Sequence, residues 1–290
     1  MTTMPLREVR DEHTVLRAYD HGATVVSWEV DGQPVLWLSP RAVVDGSTAI
    51  RGGVPLCFPW FGAGRSGDRS PSHGPVRTAT WRAVEPTGAE VMAWELSSEE
   101  VADTSGGDAL PGPFQLRYAA TRLAPDVSGQ VGPGLHLALT VHNPATAPLE
   151  VEAALHTYLV VPDSTKAQVL GLTGTPYLDK VTGERAVQEG PVTFGAEVDR
   201  VLDGTGSPAP VLDRGDGSQV LVQHHGATQT VVWNPGPDNA GQIRDVGADG
   251  WREFVCVETA ATGDLPLVVS GGASSVIAVT LILRGDPSSR

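Results

Sequence analysis

His156 and Glu258 are the side chains best suited to move protons near pH 7. His156 lies inside the run LEVEAALHTYLVV (149–161). On an extended strand, alternate side chains share a face. Val151, Ala153, Leu155, Thr157, Leu159 and Val161 then form one face, and Glu152, Ala154, His156, Tyr158 and Val160 the other. The second face is unusually polar for so apolar a strand. Glu258 lies in REFVCVETAA, with Phe254 and Cys256 on its own face. An unpaired carboxylate in such a run is desolvated, and desolvation raises its pKa toward neutrality. A partly buried Glu beside a His is a usable general acid–base pair. The chain alone does not pair them, because about a hundred residues intervene. A lone strand His is more often a satisfied core residue, and a Glu near a strand end more often an edge or turn residue.

A second group of residues suits an anion. In AIRGGVPLCFPWFG (49–62), Gly52 and Gly53 free the backbone, while two prolines and Phe58, Trp60 and Phe61 stiffen the stretch after them. So apolar a loop should be packed, which would hold Arg51 at a defined place. A held Arg can grip a phosphate or carboxylate bidentately. An exposed turn Arg explains the same residue equally well. SHGPVRTATW (72–81) adds His73 and Arg77, and Arg65 and Arg69 lie between the two segments in a Gly/Ser-rich loop. Four arginines within 51–77 suggest an anion site, though ordinary surface ion pairs would account for two of them.

These residues must be positioned by strands. The chain has 290 residues, with 34 Gly and 23 Pro punctuating it every few positions. Between them lie ATVVSWEV (23–30), LHLALTVHN (135–143), the 149–161 run, SQVLVQHH (218–225), TQTVVWN (228–234), REFVCVETA (252–260) and SSVIAVTLILR (274–284). All read as strands. No sustained helical stripe with good caps occurs. The reading is an all-β sandwich with few or no helices. The segments 99–114 and 124–134 read as loops, no linker is evident, and residues 1–290 read as one β domain.

Composition narrows the function. Hydrophobic residues make up 40% of the chain, which argues against wholesale disorder. A net charge of −14 argues against a nucleic-acid or anionic-membrane partner. The two cysteines, Cys57 and Cys256, are too few for a disulfide scaffold or a four-cysteine zinc site, and read as buried free thiols in a reducing compartment. There is no signal-like N-terminus, and no apolar run approaches the roughly 20 residues of a membrane span. A soluble cytoplasmic protein, monomeric by default, is the expectation. Phosphate-loop, dinucleotide-binding, nucleophile-elbow and zinc motifs are all missing, and His224 and His225 would point to opposite strand faces. Neither a metal nor a cofactor is expected.

Taken in order, AIRGGVPLCFPWFG, HGPVR, LHTYLVVPD, EVDRVL, VVWNPG and FVCVE resemble the aldose 1-epimerase-like family, and within it the D-hexose-6-phosphate mutarotase (glucose-6-phosphate 1-epimerase) branch. The matched segments span roughly 49–262. The resemblance implies a galactose-mutarotase-like β-supersandwich of large antiparallel sheets. It implies that His156 is the general acid at the sugar ring oxygen and Glu258 the general base at the anomeric hydroxyl. Arg51 and Arg77 are then expected at a phosphate, with His73 and Asp199 near the sugar. The chemistry asks for an ionised Glu258 and a protonated His156 together. Three positions depart from the family pattern. Pro75-Val76 replaces an aromatic–Ala pair, Leu202 an aromatic, and Gly236 an aromatic after Trp233-Asn234-Pro235. A hexose 6-phosphate is the expected partner. The alternatives are a mutarotase of unphosphorylated aldoses and a non-catalytic carbohydrate-binding module.

Overall fold

The computed structural model describes residues 4–85, 88–125 and 132–285. Two large antiparallel sheets face one another across the core. The nine-stranded sheet runs in the spatial order Val192–Thr193, Gln168–Leu170, Val211–Asp213, Gln219–His225, Ser274–Arg284, Gly134–His142, Gln115–Leu123, Val91–Ser97 and Arg82–Val84. The eight-stranded sheet runs Arg185–Val187, Pro176–Asp179, Val198–Asp203, Gln229–Asn234, Phe254–Ala261, Ala153–Leu155 and Leu56–Cys57. Its eighth strand, Tyr158–Val160, also pairs with Phe254–Ala261. A four-stranded sheet over Leu6–Pro34 and a small pair, Leu149–Val151 with Leu267–Val269, complete the architecture.

Alternation along the strands builds the core. From the eight-stranded sheet, Leu155, Leu159, Val255, Val257 and Ala261 point inward. They meet Leu135, Leu137, Leu139, Val279 and Leu281 of the nine-stranded sheet in one apolar cluster that extends from Leu16 to Leu283. Each fully buried aliphatic or aromatic side chain contributes roughly 1.5–3 kcal/mol. The opposite face of the eight-stranded sheet carries Ala154, Tyr158, Val201, Val231, Cys256 and Ala260 in smaller clusters. The two faces expected for the 149–161 run are therefore the two faces observed.

That run is not one strand. It breaks into Leu149–Val151, Ala153–Leu155 and Tyr158–Val160. Glu152 turns away from the ladder so that its N–H meets Pro59 O at 2.9 Å, and the His156 N–H goes to Pro55 O at 3.0 Å. Helix is confined to two short segments, Ser98–Val101 and Gly236–Ala240, and four 3-10 turns among the described residues. The first lies in 99–114, which holds a helical turn closed by a Ser97/Glu100 capping box as well as loop. The expected loop at 124–134 falls mostly on residues outside those described. No helix among the described residues is long and apolar enough to cross a membrane.

Candidate active site

Register brings His156 and Glu258 together. Ala153–Leu155 and Tyr158–Val160 pair with Phe254–Ala261 in the same register, Leu155 opposite Thr259 and Tyr158 opposite Cys256. His156 therefore falls opposite Glu258, and directly opposed residues of one face are close neighbours. His156 Nε2 lies 3.5 Å from Glu258 Oε1. The register extends across the sheet in two parallel rows. One runs Val201, Val231, Glu258, His156, and the other Asp199, Trp233, Cys256, Tyr158. Thus Asp199 stands on the same face as the pair, two strands from Glu258.

The Arg-Gly-Gly turn is packed, as the sequence suggested. Gly53 has φ +65°, and a Cβ there would lie 2.0 Å from Val25 O. Only glycine permits that approach. Its N–H donates to Trp37 O and its carbonyl accepts from Tyr158 N–H. Arg51 is thereby fixed, with Nε on Asp245 Oδ1 at 3.0 Å and Nη1 on the Tyr158 hydroxyl at 2.8 Å. His73 closes the site from another turn, its Nδ1 accepting from the Gly62 N–H at 3.2 Å. Its ring meets the edges of Phe61 and His156, with centroids 4.8 and 5.7 Å away. Arg77 sits on the 3-10 turn Val76–Thr78, and its charge opposes the rise that burial gives the Cys57 thiol. Its charge bears on His73, His156 and Glu258. Among the described residues it makes no ion pair.

The other two arginines serve elsewhere. Arg65 pairs with Glu150 and Asp264, and Arg69 donates to Ala109 O while lying over Trp60. They are the ordinary surface interactions that the sequence allowed for.

Burial dominates the electrostatics. Glu258 is 1% exposed and its pKa is raised well above the usual carboxylate range, by burial first and then by Asp199; Lys180 and Arg77 oppose the shift. His156 is lowered well below the usual imidazole range by burial, then by His73, Arg77 and Arg51. His73 is pushed down to about 3 by burial, then by Arg77, Lys180 and Arg51. Asp199 is raised by burial against the pull of Lys180. In the protein alone these shifts favour a protonated Glu258 beside a neutral His156. That is the opposite distribution of one proton from the ionised Glu258 and protonated His156 that the resemblance implies. His156 Nδ1 and Glu258 Oε2 are buried without hydrogen-bond partners among the described residues.

Two contributors escaped sequence reading. Lys180 places Nζ 3.8 Å from Asp199 Oδ2 and 5.2 Å from the Phe61 ring centroid. A lone Lys at a strand end carries no mark of this. Asp245 lies on a loop far from Arg51 in the chain, again without a local signal. Tyr158 was placed on the His156 face by alternation, and its ring stacks on the imidazole at 4.8 Å and 8°. Among the described residues, no group of three or more His, Cys, Asp or Glu is placed to hold a metal ion.

The family departures are absorbed locally. Val76 and Leu202 are buried in the main core, so both changes fall away from the face that carries His156 and Glu258. Gly236 has φ +63°, and a Cβ would sit 2.4 Å from Glu197 N, which explains why this chain has no aromatic there.

A buried His–Glu pair on the face of the eight-stranded sheet turned away from the main core, in a large antiparallel sandwich, is an arrangement suited to acid–base chemistry on a sugar. The chain belongs to the aldose 1-epimerase family, whose model matches residues 6–274. A protein of Escherichia coli K12 called "Putative glucose-6-phosphate 1-epimerase" is 33% identical over 246 residues, covering 82% of this chain and 77% of the relative. A similarly named protein of Cenchrus ciliaris is 30% identical over 278 residues, covering 88% and 77%. A crystal structure of a "putative mutarotase" from Salmonella typhimurium superposes with a TM-score of 0.84 at 28% identity, covering 99% of this chain and 92% of that one. The galactose mutarotase related enzyme of Lactobacillus acidophilus shares the fold at 12% identity, with a TM-score of 0.73 over 97% of this chain and 98% of that one.

Proposed function

We propose that this protein is a hexose-6-phosphate mutarotase that interconverts α and β anomers by acid–base ring opening. The opposition of His156 and Glu258 at 3.5 Å carries the reading. Glu258 removes the proton of the anomeric hydroxyl while His156 protonates the ring oxygen. The C1–O5 bond breaks, and its electron pair goes to O5 as C1 becomes the aldehyde. Rotation about C1–C2 presents the other carbonyl face, and reclosure returns both protons. Each positioned group contributes roughly 10²–10⁴-fold. No redox change or group transfer occurs, so the side chains suffice. The reading treats residues 1–290 as one domain, in keeping with a core that extends from Leu16 to Leu283.

Two observations support the phosphate ester over the free sugar. Arg77 faces the site without a carboxylate partner among the described residues. Arg51 uses two of its five N–H donors on Asp245 and Tyr158, leaving three for an anion. The names carried by the bacterial and plant relatives agree. Asp245 favours the rival reading, a mutarotase of unphosphorylated aldoses, because it partly neutralises Arg51. A pure binding module would have no use for the opposed pair.

Magnetisation-exchange NMR between the anomers of glucose 6-phosphate, run beside glucose, tests the reading. Faster exchange of the phosphate ester alone, lost in Glu258→Gln, is the expected result. Equal acceleration of both sugars would move the assignment to a general aldose mutarotase. No acceleration of either would overturn it.

A further inference from the structure

The general acid lacks the support a catalytic imidazole normally has. One ring nitrogen is usually fixed by a hydrogen bond while the other does the chemistry. Here Nδ1 of His156 is buried without a partner among the described residues, and Nε2 stands 3.5 Å from Glu258, at the outer limit of a hydrogen bond. The imidazole plane must therefore be set by packing. Trp233 and His73 touch it edge-on, at 84° and 69°. Among the described residues, Tyr158 alone lies flat against it, at 8°.

We propose that Tyr158 is the positioning residue of His156, and that its hydroxyl ties this acid to the anion-gripping Arg51. The inference rests on the mutarotase reading for its functional meaning. Tyr158 lies two residues after His156 on the same face and is 1% exposed. Trp37, Phe254 and Trp233 wall it in, with centroids 5.8, 5.2 and 6.0 Å away. Its N–H donates to Gly53 O and its carbonyl accepts from Trp37 N–H. The backbone is thus anchored on the Arg-Gly-Gly turn, and the hydroxyl accepts from Arg51 Nη1 at 2.8 Å. A shift of either end of Tyr158 moves Arg51, the imidazole, or both. Its electron-rich face also attracts the imidazolium that catalysis requires more than it attracts the neutral ring. One side chain therefore sets both the distance between the acid and the anion grip and the plane in which the acid works.

The two halves of the role separate in two variants. Tyr158→Phe keeps the stack and removes the tie. The expected result is a KM for glucose 6-phosphate raised about tenfold, with kcat within about threefold, as expected for losing one hydrogen bond to a charged group. Tyr158→Leu removes the stack as well, and kcat should fall at least tenfold further. A readout independent of turnover is the imidazole ¹⁵N spectrum of His156 in the protein alone. It should match wild type in Tyr158→Phe and shift in Tyr158→Leu. An unchanged KM in Tyr158→Phe would overturn the tie, and a tenfold loss of kcat there would show the hydroxyl acting on the chemistry instead. An unchanged imidazole spectrum in folded Tyr158→Leu would overturn the positioning role. If Tyr158→Leu does not fold, Tyr158→Phe still decides the tie, and Tyr158→Met, which removes the flat ring but keeps more of the bulk, takes its place in the spectrum: a shifted or broadened signal is expected, and an unchanged one refutes the role. If the wild type turns over no sugar, the mutarotase reading fails while the spectra still judge Tyr158.

Discussion

Replacing Glu258 with Gln should make the protein slower and, at neutral pH, more stable. The side chain keeps its shape, so the fold is retained, but the base is gone. General-base removal costs roughly 10²–10⁴ in rate, equivalent to about 3–5 kcal/mol of barrier. The stability effect comes from burial. Glu258 is 1% exposed with Oε2 unpartnered among the described residues, and its pKa in the fold is raised above the ordinary 4.5. A carboxyl with a raised folded pKa favours the fold below its unfolded pKa. It loses that advantage as pH climbs toward the folded value, at up to about 1.4 kcal/mol per pH unit. Gln does not titrate, so the variant escapes the loss. The two proteins should melt closest together near pH 4 and diverge in the variant's favour above it. For a chain of 290 residues the divergence is about 2 °C per pH unit until the buried acid itself ionises. His156 titrates in both proteins, so its contribution largely cancels in the comparison. Thermal melts of both proteins from pH 4 to 9, beside anomer exchange of glucose 6-phosphate, test the argument. A variant that turns over within threefold of wild type, or melts below it at pH 8, would refute it.

Other perturbations probe the remaining parts of the site. His156→Asn should cut anomer exchange at least a hundredfold with the fold intact by circular dichroism. Arg77→Ala should raise KM for the phosphate ester more than Arg51→Ala does, because Arg51 is already engaged by Asp245; steady-state kinetics with both variants decides this. Lys180→Met removes a positive charge that holds Glu258 and Asp199 down. The Glu258 titration should then move to higher pH, seen in the carboxyl ¹³C signal of labelled protein. In wild type, His156 should be neutral at pH 6.5, where a free imidazole is half protonated, and ¹⁵N shifts would show it.

Much of the fold was legible because its strands are short, apolar and separated by Gly and Pro. Gln219–His225, Gln229–Asn234, Phe254–Ala261 and Ser274–Arg284 lie within a residue or two of their expected bounds. Strands such as Arg82–Val84, Gln168–Leu170 and Val211–Asp213 were not anticipated. They are too short to show a period and owe their pairing to neighbours far along the chain. The site divides in the same way. Alternation placed His156 and Tyr158 on one face and Glu258 with Cys256 on another. It could not say that those faces are one, since that depends on the register between two strands about a hundred residues apart. The sequence left Arg51 open between a held residue and an exposed turn residue, because its holders, Asp245 and Tyr158, are long-range contacts. Arg65 and Arg69 looked like Arg77 in sequence, and only their partners Glu150, Asp264 and Ala109 set them apart.

The proton inventory gives the site its logic. The proposed mutarotase cycle needs one proton shared by two groups, starting on His156 and ending on Glu258 once the ring is open. Burial raises one pKa and lowers the other, so the neutral pair that the proposed open-ring complex would carry is the arrangement these shifts favour. This makes His156 a strong acid and Glu258 a strong base whenever the ion pair forms, at the expense of its population. The two effects oppose one another, so burial alone cannot account for catalysis. What it adds is position and exclusion of water around a bond-breaking step. Because the groups titrate as a pair, activity should show a bell-shaped pH profile. Its acid limb marks a second proton arriving on His156 below the normal imidazole range. Its basic limb marks loss of the shared proton from Glu258 above the normal carboxylate range. In Lys180→Met the basic limb should move to higher pH while the acid limb stays nearly fixed, since Lys180 is among the charges that oppose the Glu258 shift, whereas His156 is shifted chiefly by burial, His73, Arg77 and Arg51. Movement of the acid limb with the basic limb fixed would show that the pair had been assigned the wrong way round.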